Sequence, residues 1–254
     1  MLTATRGSQV EVTSELFISI SLVTLLLSIS KFYDFLDLGG LLAALSVGLL
    51  VSLLGHWTWL IVLMSFLIIS SIVTKWRYEE KALISVAESN DGKRGWKNVL
   101  ANGGGASLIA IINYFVGGHD LAYLSFCACV GVASSDTLAS EIGSLDPRTR
   151  IITTLEAVPA GTNGGMSPTG TIAAFYGGLI IAIISTLLGA LNADTNPPLF
   201  LFLCITVIGW LGCQLDSLLG AIFENRGYLG KHAVNFISTI TGSILAIWSA
   251  VLFL

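Results

Sequence analysis

Two aspartates stand in otherwise apolar runs. Asp136 lies in GVASSDTLASEIGS (131–144) and Asp216 in CQLDSLLGA (213–221). Their surroundings match: Asp136-Thr137-Leu138-Ala139-Ser140 against Asp216-Ser217-Leu218-Leu219-Gly220, each an Asp, a hydroxyl residue, a Leu, and a small residue at i+4. A carboxylate within a membrane helix is costly and marks a functional site by default. Paired carboxylates with hydroxyl neighbours suit a hard cation. Mg²⁺ takes one or two carboxylates and completes its shell with water and substrate phosphates. A proton or sodium relay also uses carboxylates at membrane depth. Asp136 and Asp216 are therefore candidate metal ligands, with Mg²⁺ or a proton or sodium relay left for the remaining motifs to decide. Glu141 follows Asp136 by five residues, about 140° around a helix. It faces elsewhere, and its expected reach is to the headgroups or a basic residue. It stays a candidate for substrate or nucleotide binding.

A phosphate-binding half is also present. The segment from Lys75 through DGKRGWKNVLANGGG (91–105) crowds basic residues ahead of an apolar run. Helix N-termini attract phosphate through free N–H groups and the dipole. Lys93 and Arg94 add full charges, and Asn98 and Asn102 share one face at i, i+4. The second long polar segment, 145–170, holds GTNGG. Gly161, Thr162, Asn163, Gly164 and Gly165 there offer backbone amides with permissive dihedrals, as phosphate-cradling loops do. The stretch lacks the Gly-Lys-Ser/Thr ending of a Walker loop. Pro168 suits a first helical position.

These groups must be positioned by membrane helices. The chain has 254 residues, 54% hydrophobic and 11% charged, with mean hydropathy +0.83, where a soluble domain carries about 25% charged residues. The expected fold is all-α, a single polytopic bundle with eight spans: 13–30, 38–55, 57–74, 98–116, 121–142, 168–190, 198–221 and 232–253. The first fifteen residues do not read as a cleavable signal, so the first span is expected to stay. Eleven of the twelve Lys and Arg fall in odd-numbered loops, the exception being Arg6. The positive-inside rule then puts odd loops in the cytoplasm and both termini outside. His56, His119, Asp120 and Asp194 fall on the outer side as ordinary loop residues. The four cysteines (127, 129, 204, 213) lie in apolar runs and read as small buried side chains.

Asp136 lies about 22 Å into its span and Asp216 about 26 Å, at 1.5 Å per residue. Both helices run in the same direction, so the acids share a depth near the inner face. Gly209, Gly212, Cys213 and Gly220 give the seventh span a small face for close helix approach. Spans four, six and eight begin in the same layer, with Asn98, Gly164 and Asn235 at their positive ends. Anion-binding ends and metal-binding carboxylates on one face describe a site for a phosphorylated substrate with Mg²⁺.

The motifs KW..E.K, G.RGW.NVLANG, SSDTLASEIG, T.E.VP.GTNGG and G..G...DSLLGA, with a following Asn, are similar to those of a multi-span membrane family long catalogued without function. That family includes the phytyl-phosphate kinases of plants and photosynthetic bacteria. The resemblance runs from about residue 74 to 240, roughly two thirds of the chain. NVLANG and GTNGG are its distinctive parts, and the first three spans carry no motif. A looser likeness links the acidic motif to CTP-using lipid kinases and cytidylyltransferases. The resemblance implies transfer of a phosphoryl group from a nucleoside triphosphate, CTP expected, to an isoprenoid monophosphate such as phytyl or geranylgeranyl phosphate. It implies Lys93, Arg94, Asn163 and the GTNGG backbone as phosphate ligands, with Asn98, Asn102 and Asn235 orienting. Glu156 would bind nucleotide or a second ion, and a small-residue groove between spans the prenyl tail. The partners implied are the nucleotide, the prenyl monophosphate and membrane lipids, with no nucleic acid. A transporter driven by Asp136 and Asp216, or a CTP-dependent cytidylyltransferase, are the alternatives.

Overall fold

Small residues let one helix become the axis of the bundle. In the computed structural model, which describes residues 2–192 and 196–254 (side chains from Ser14 onward), α6 (Ala122–Gly143) is buried along most of its length. Asp194 lies outside the described residues. Around α6 pack α3 (Trp57–Lys75), α5 (Trp96–Phe115), α7 (Pro168–Gly189), α8 (Pro198–Leu219) and α9 (Lys231–Phe253). Two further helices, α1 (Leu2–Phe32) and α2 (Leu38–Leu54), form a side layer against α3 and α5. The eight expected spans are all present as helices, and α1 extends back beyond its expected start at 13. Six helices among the described residues are long and apolar enough to cross a membrane; α2 is a shorter apolar helix. This is an all-α polytopic bundle.

The close approaches run through α6, α7 and α8. A Cβ on Gly177 would sit 2.7 Å from the Ser134 carbonyl oxygen, one on Gly209 3.0 Å from Gly178 Cα, and one on Gly212 2.4 Å from Val132 Cγ2. The backbones themselves are in contact, the packing that small residues permit in a membrane. These small faces are filled by neighbouring helices. At Gly177, Gly209 and Gly212 the expected small-residue face is used for helix contact. The same contacts fix direction. Gly131 meets Gly209 and Val132 meets Gly212, so α6 and α8 run parallel; Gly143 meets Gly170 and Ser134 meets Gly177, so α7 runs against them.

Two apolar cores result. One surrounds α6 and includes Trp59, Phe126, Val130, Ile181 and Ile205; the other joins α1, α2 and α3 through Val23, Leu26, Leu60 and Met64. The four cysteines are buried, and no disulfide joins them among the described residues.

The long polar segments are more ordered than loops. The first contains α4 (Tyr78–Leu83) and a single turn at Asn90–Gly92. Lys81 of α4 is fully buried, its Nζ bonded to Glu141 Oε2 at 2.6 Å and to the carbonyls of Thr74 (2.6 Å) and Val73 (3.1 Å). The second contains a two-residue antiparallel pair, β1 (Arg150–Ile151) with β2 (Gly165–Met166), which closes the 150–166 segment on itself. Ser167 caps α7, its Oγ accepting from Gly170 N, and Pro168 opens the helix as expected. Asp146 fastens this segment to α7: its carboxylate accepts from the Arg148 backbone and guanidinium and from the Thr169 hydroxyl at 2.9 Å. The Arg148 contacts hold the Asp146 carboxyl well below the usual carboxylate range.

Candidate functional site

Parallel α6 and α8 bring their matched motifs side by side. Asp136 and Asp216 line one cavity. Antiparallel α9 supplies their neighbours: Asn235 Nδ2 donates to Asp136 Oδ2 at 3.3 Å and the Ser238 hydroxyl to Asp216 Oδ2 at 2.7 Å. Two carboxylates on one cavity wall repel when both are charged, the more so at low dielectric. Asn235 and Ser238 orient the pair without neutralising it.

The pair lies on the wall of a cavity of about 350 Å³ at the bundle end where α6 and α8 finish and α7 and α9 begin. Ligand pockets run from about 300 to 1,000 Å³. α6 contributes Asp136, Ala139, Ser140 and Gly143, and α8 Cys213, Asp216, Ser217 and Gly220. Each set is one helical stripe at i, i+3/i+4, i+7, with Asp136 first in its stripe and Asp216 second in its own. The whole GTNGG loop, Gly161 to Gly165, lines the same cavity. Two glycines have positive φ there, Gly161 (+81°) and Gly164 (+74°). A Cβ on Gly164 would sit 2.5 Å from Ala221 Cβ and 2.6 Å from Ala221 N. The loop thus rests directly on the turn Gly220–Glu224, where α8 widens into one π-helical turn. Asn225 Nδ2 donates to the Asn163 carbonyl at 3.0 Å and ties the two together.

A family model described as "Integral membrane protein DUF92" matches residues 20–243. The chain belongs to the DUF92 integral membrane family. Among its relatives is the uncharacterised membrane protein MJ0933 of Methanocaldococcus jannaschii, 34% identical over 91% of this chain and 93% of its own. The uncharacterised membrane protein sll0875 of Synechocystis is 31% identical over 75% of this chain and 73% of its own. The chloroplastic protein VTE6 of Arabidopsis thaliana is 31% identical over 77% of this chain and 61% of its own. No solved structure matches. DUF92 is the long-uncharacterised membrane family that the motifs resemble, and the match extends over the first spans as well, where no motif was legible.

The DUF92 motifs divide between two places. Asp136, Asp216, Asn235 and residues 161–165 meet at the cavity. The basic segment does not. Lys75 Nζ donates to the Tyr33 carbonyl at 2.9 Å, Lys93 pairs with Asp34 at 3.0 Å, and Arg94 is buried, its guanidinium donating to the Ser70 and Thr74 hydroxyls. All three stitch this segment to the α1–α2 turn and α3. The reason is a strand-like pairing: Arg94 N donates to the Phe35 carbonyl and Asp37 N to the Arg94 carbonyl. Asn98 donates to Glu88 Oε1 at 2.9 Å, and Asn102 to the Asn98 carbonyl. Glu141 is held by Lys81 and by the Thr74 hydroxyl at 2.9 Å, so its reach to a basic residue is realised and it does not line the cavity. Glu156 stands exposed in the 150–166 segment, away from the wall.

Residues the sequence did not single out take their places on the wall: Ser140, Gln214, Ser217, Glu224, Lys231 and the segment Ser85–Ala87. Lys231 is the one Lys or Arg of that wall among the described residues. Val86 supports Gly161, whose Cβ would sit 2.5 Å from Val86 Cγ1. The repeated Asp-hydroxyl motif was the available signal for Ser217; nothing in the spacing marked Lys231 or 85–87.

No trio of His, Cys, Asp or Glu is placed to hold a metal among the described residues. The donor set is two carboxylates with oxygen and amide neighbours. It fits Mg²⁺, which leaves most of its shell to water and phosphate, and does not fit a structural zinc site of four N/S ligands.

Proposed function

We propose that this protein is a membrane kinase that transfers the terminal phosphoryl group of a nucleoside triphosphate, CTP, to a prenyl monophosphate such as phytyl or geranylgeranyl phosphate. The observation that carries the reading is that a carboxylate pair and a glycine-rich loop line one cavity. Membership of DUF92 and the likeness of the motifs to phytyl-phosphate kinases support the same class. We place the cavity at the cytoplasmic face, where the positive-inside rule puts the basic loops and where a nucleotide is supplied.

In this reading a phosphate oxygen of the prenyl monophosphate attacks the γ-phosphorus of CTP. The new P–O bond forms as the β–γ bridging bond breaks, and CDP leaves with the electron pair. Phosphoryl transfer needs little covalent help and is mostly positioning and charge neutralisation. Asp136 and Asp216 would hold Mg²⁺, which when bound offsets charge on the transferring group. Asn235 and Ser238 fix the two carboxylates. The GTNGG loop cradles phosphate with backbone amides other than those of Thr162 and Gly165, which donate to the Pro159 and Thr162 carbonyls.

The solid packing of the opposite half of the bundle favours this over transport. Leu124, Phe126, Cys127, Ala128, Cys129 and Val130 of α6 have no solvent contact, whereas a transporter needs access from both sides. The test uses purified protein in detergent with Mg²⁺, geranylgeranyl monophosphate, and CTP, UTP or ATP in turn. Geranylgeranyl diphosphate and CDP are expected. A CDP-linked lipid with pyrophosphate would instead identify a cytidylyltransferase, and absence of turnover with every donor from folded protein would end both enzyme readings.

A further inference from the structure

The acids of the cavity wall, Asp136, Asp216 and Glu224, face one cation. That cation is Lys231, the first residue of α9. It shares that wall with Asp136 and Glu224. Its Nζ stands 3.8 Å from Glu88 Oε2, with 56% of its side chain exposed. Such a loose, exposed pair holds weakly, and the four-carbon stem leaves the ammonium free to turn. Glu88 is not loose. Its other oxygen takes the Asn98 amide at 2.9 Å and its carbonyl takes the Tyr78 hydroxyl at 3.0 Å. It follows directly on Ala87 of the cavity wall.

We propose that Lys231 is the phosphate-gripping cation of this cavity, and that Glu88, fixed by Asn98, is a positioning residue that keeps Lys231 at the rim until an anion arrives. The inference rests on the reading of the cavity as a site for phosphorylated substrates. Asn98, in the NVLANG motif, then acts through Glu88 and Lys231 and touches no phosphate itself. A triphosphate entering a wall of three carboxylates needs more positive charge than one divalent ion supplies. Lys231 is the side chain able to give it, as a compact point charge with three donors. The basic residues 75, 93 and 94 have partners elsewhere and leave this task to α9.

The experiment measures binding of inorganic pyrophosphate with Mg²⁺ by calorimetry, and turnover with geranylgeranyl monophosphate and CTP, for wild type, Lys231→Met, Lys231→Arg and Glu88→Gln. Circular dichroism and size exclusion confirm each fold. Loss of one charged donor is expected to weaken pyrophosphate binding and kcat/KM by about 100-fold in Lys231→Met, with much of both recovered in Lys231→Arg. Glu88→Gln is expected to raise KM by about 10-fold with kcat nearly unchanged. Wild-type pyrophosphate binding and turnover in Lys231→Met would overturn the proposal. So would wild-type protein that binds no pyrophosphate. Lys231-dependent binding without transfer from any nucleotide would leave the anion site standing and remove the kinase reading.

Discussion

Replacing Gly164 by alanine separates the cradle from the rest of the fold. Gly164 has φ +74°, and an L-residue there costs about 1–2 kcal/mol. The new Cβ would also meet Ala221 at 2.5 Å (Cβ), 2.6 Å (N) and 2.7 Å (Cα). Carbon contacts normally lie at about 3.5–4.0 Å. The neighbour is backbone at the foot of α8 and cannot swing aside, so the loop must retreat by roughly 1 Å. A misplacement of about 1 Å at a catalytic site costs on the order of 100-fold in rate. Gly227→Ala is the control. Gly227 has a similar φ of +72° but nothing within 4 Å of its Cβ. Both variants bear the dihedral cost; only Gly164→Ala moves the loop. Initial rates of prenyl diphosphate formation, with thermal unfolding measured in parallel, should show Gly164→Ala down about 100-fold and Gly227→Ala near wild type. Equal activity of the two variants would refute the placement of the GTNGG loop as a phosphate cradle.

Three further outcomes follow from the geometry. Lys81→Met leaves the half-buried Glu141 carboxylate without its ion-pair partner, and thermal and denaturant unfolding should show a loss of up to about 3 kcal/mol. The double variant Lys81→Met/Glu141→Met should recover much of that stability, and an unchanged KM for CTP in it would show that Glu141 is structural and contacts no nucleotide. Asp146 has a folded-state pKa below its unfolded value, so its stabilisation is present above about pH 4 and disappears as pH falls through the folded value. Wild type should therefore lose melting temperature progressively as pH falls below about 4, while Asp146→Asn starts lower and changes less; parallel curves for the two would contradict the Asp146–Arg148–Thr169 fastening.

The sequence was informative where chemistry and periodicity coincide. The eight expected runs became helices, and six of them, with the shorter α2, are apolar enough to belong in lipid among the described residues, where nothing else satisfies the backbone. Asp136 and Asp216 met because their helices run parallel with small residues between them, and both facts were visible in the loop charges and the glycines. GTNGG reached the cavity because its glycines permit a backbone that folds back onto Ala221. The basic loop was misleading for a physical reason. Lys75, Lys93, Arg94 and Lys231 are all cations beside helix ends, and their charge says nothing about which one turns inward. That choice is made by long-range pairing, Arg94 with Phe35 and Asp37, and by α9 returning beside α6. Lys81, buried at the centre of a loop that reads as solvent-facing, was equally hidden until Glu141 supplied its partner.

The most direct test of the central claim follows labelled phosphate. In single turnover with γ-³²P-CTP, Mg²⁺ and geranylgeranyl monophosphate, wild-type protein should place the label in geranylgeranyl diphosphate, and α-³²P-CTP should leave the lipid unlabelled. Asp136→Asn and Asp216→Asn, each folded by circular dichroism, should transfer label at least about 100-fold more slowly. Label from α-³²P-CTP in the lipid, or wild-type rates in both variants, would contradict the account.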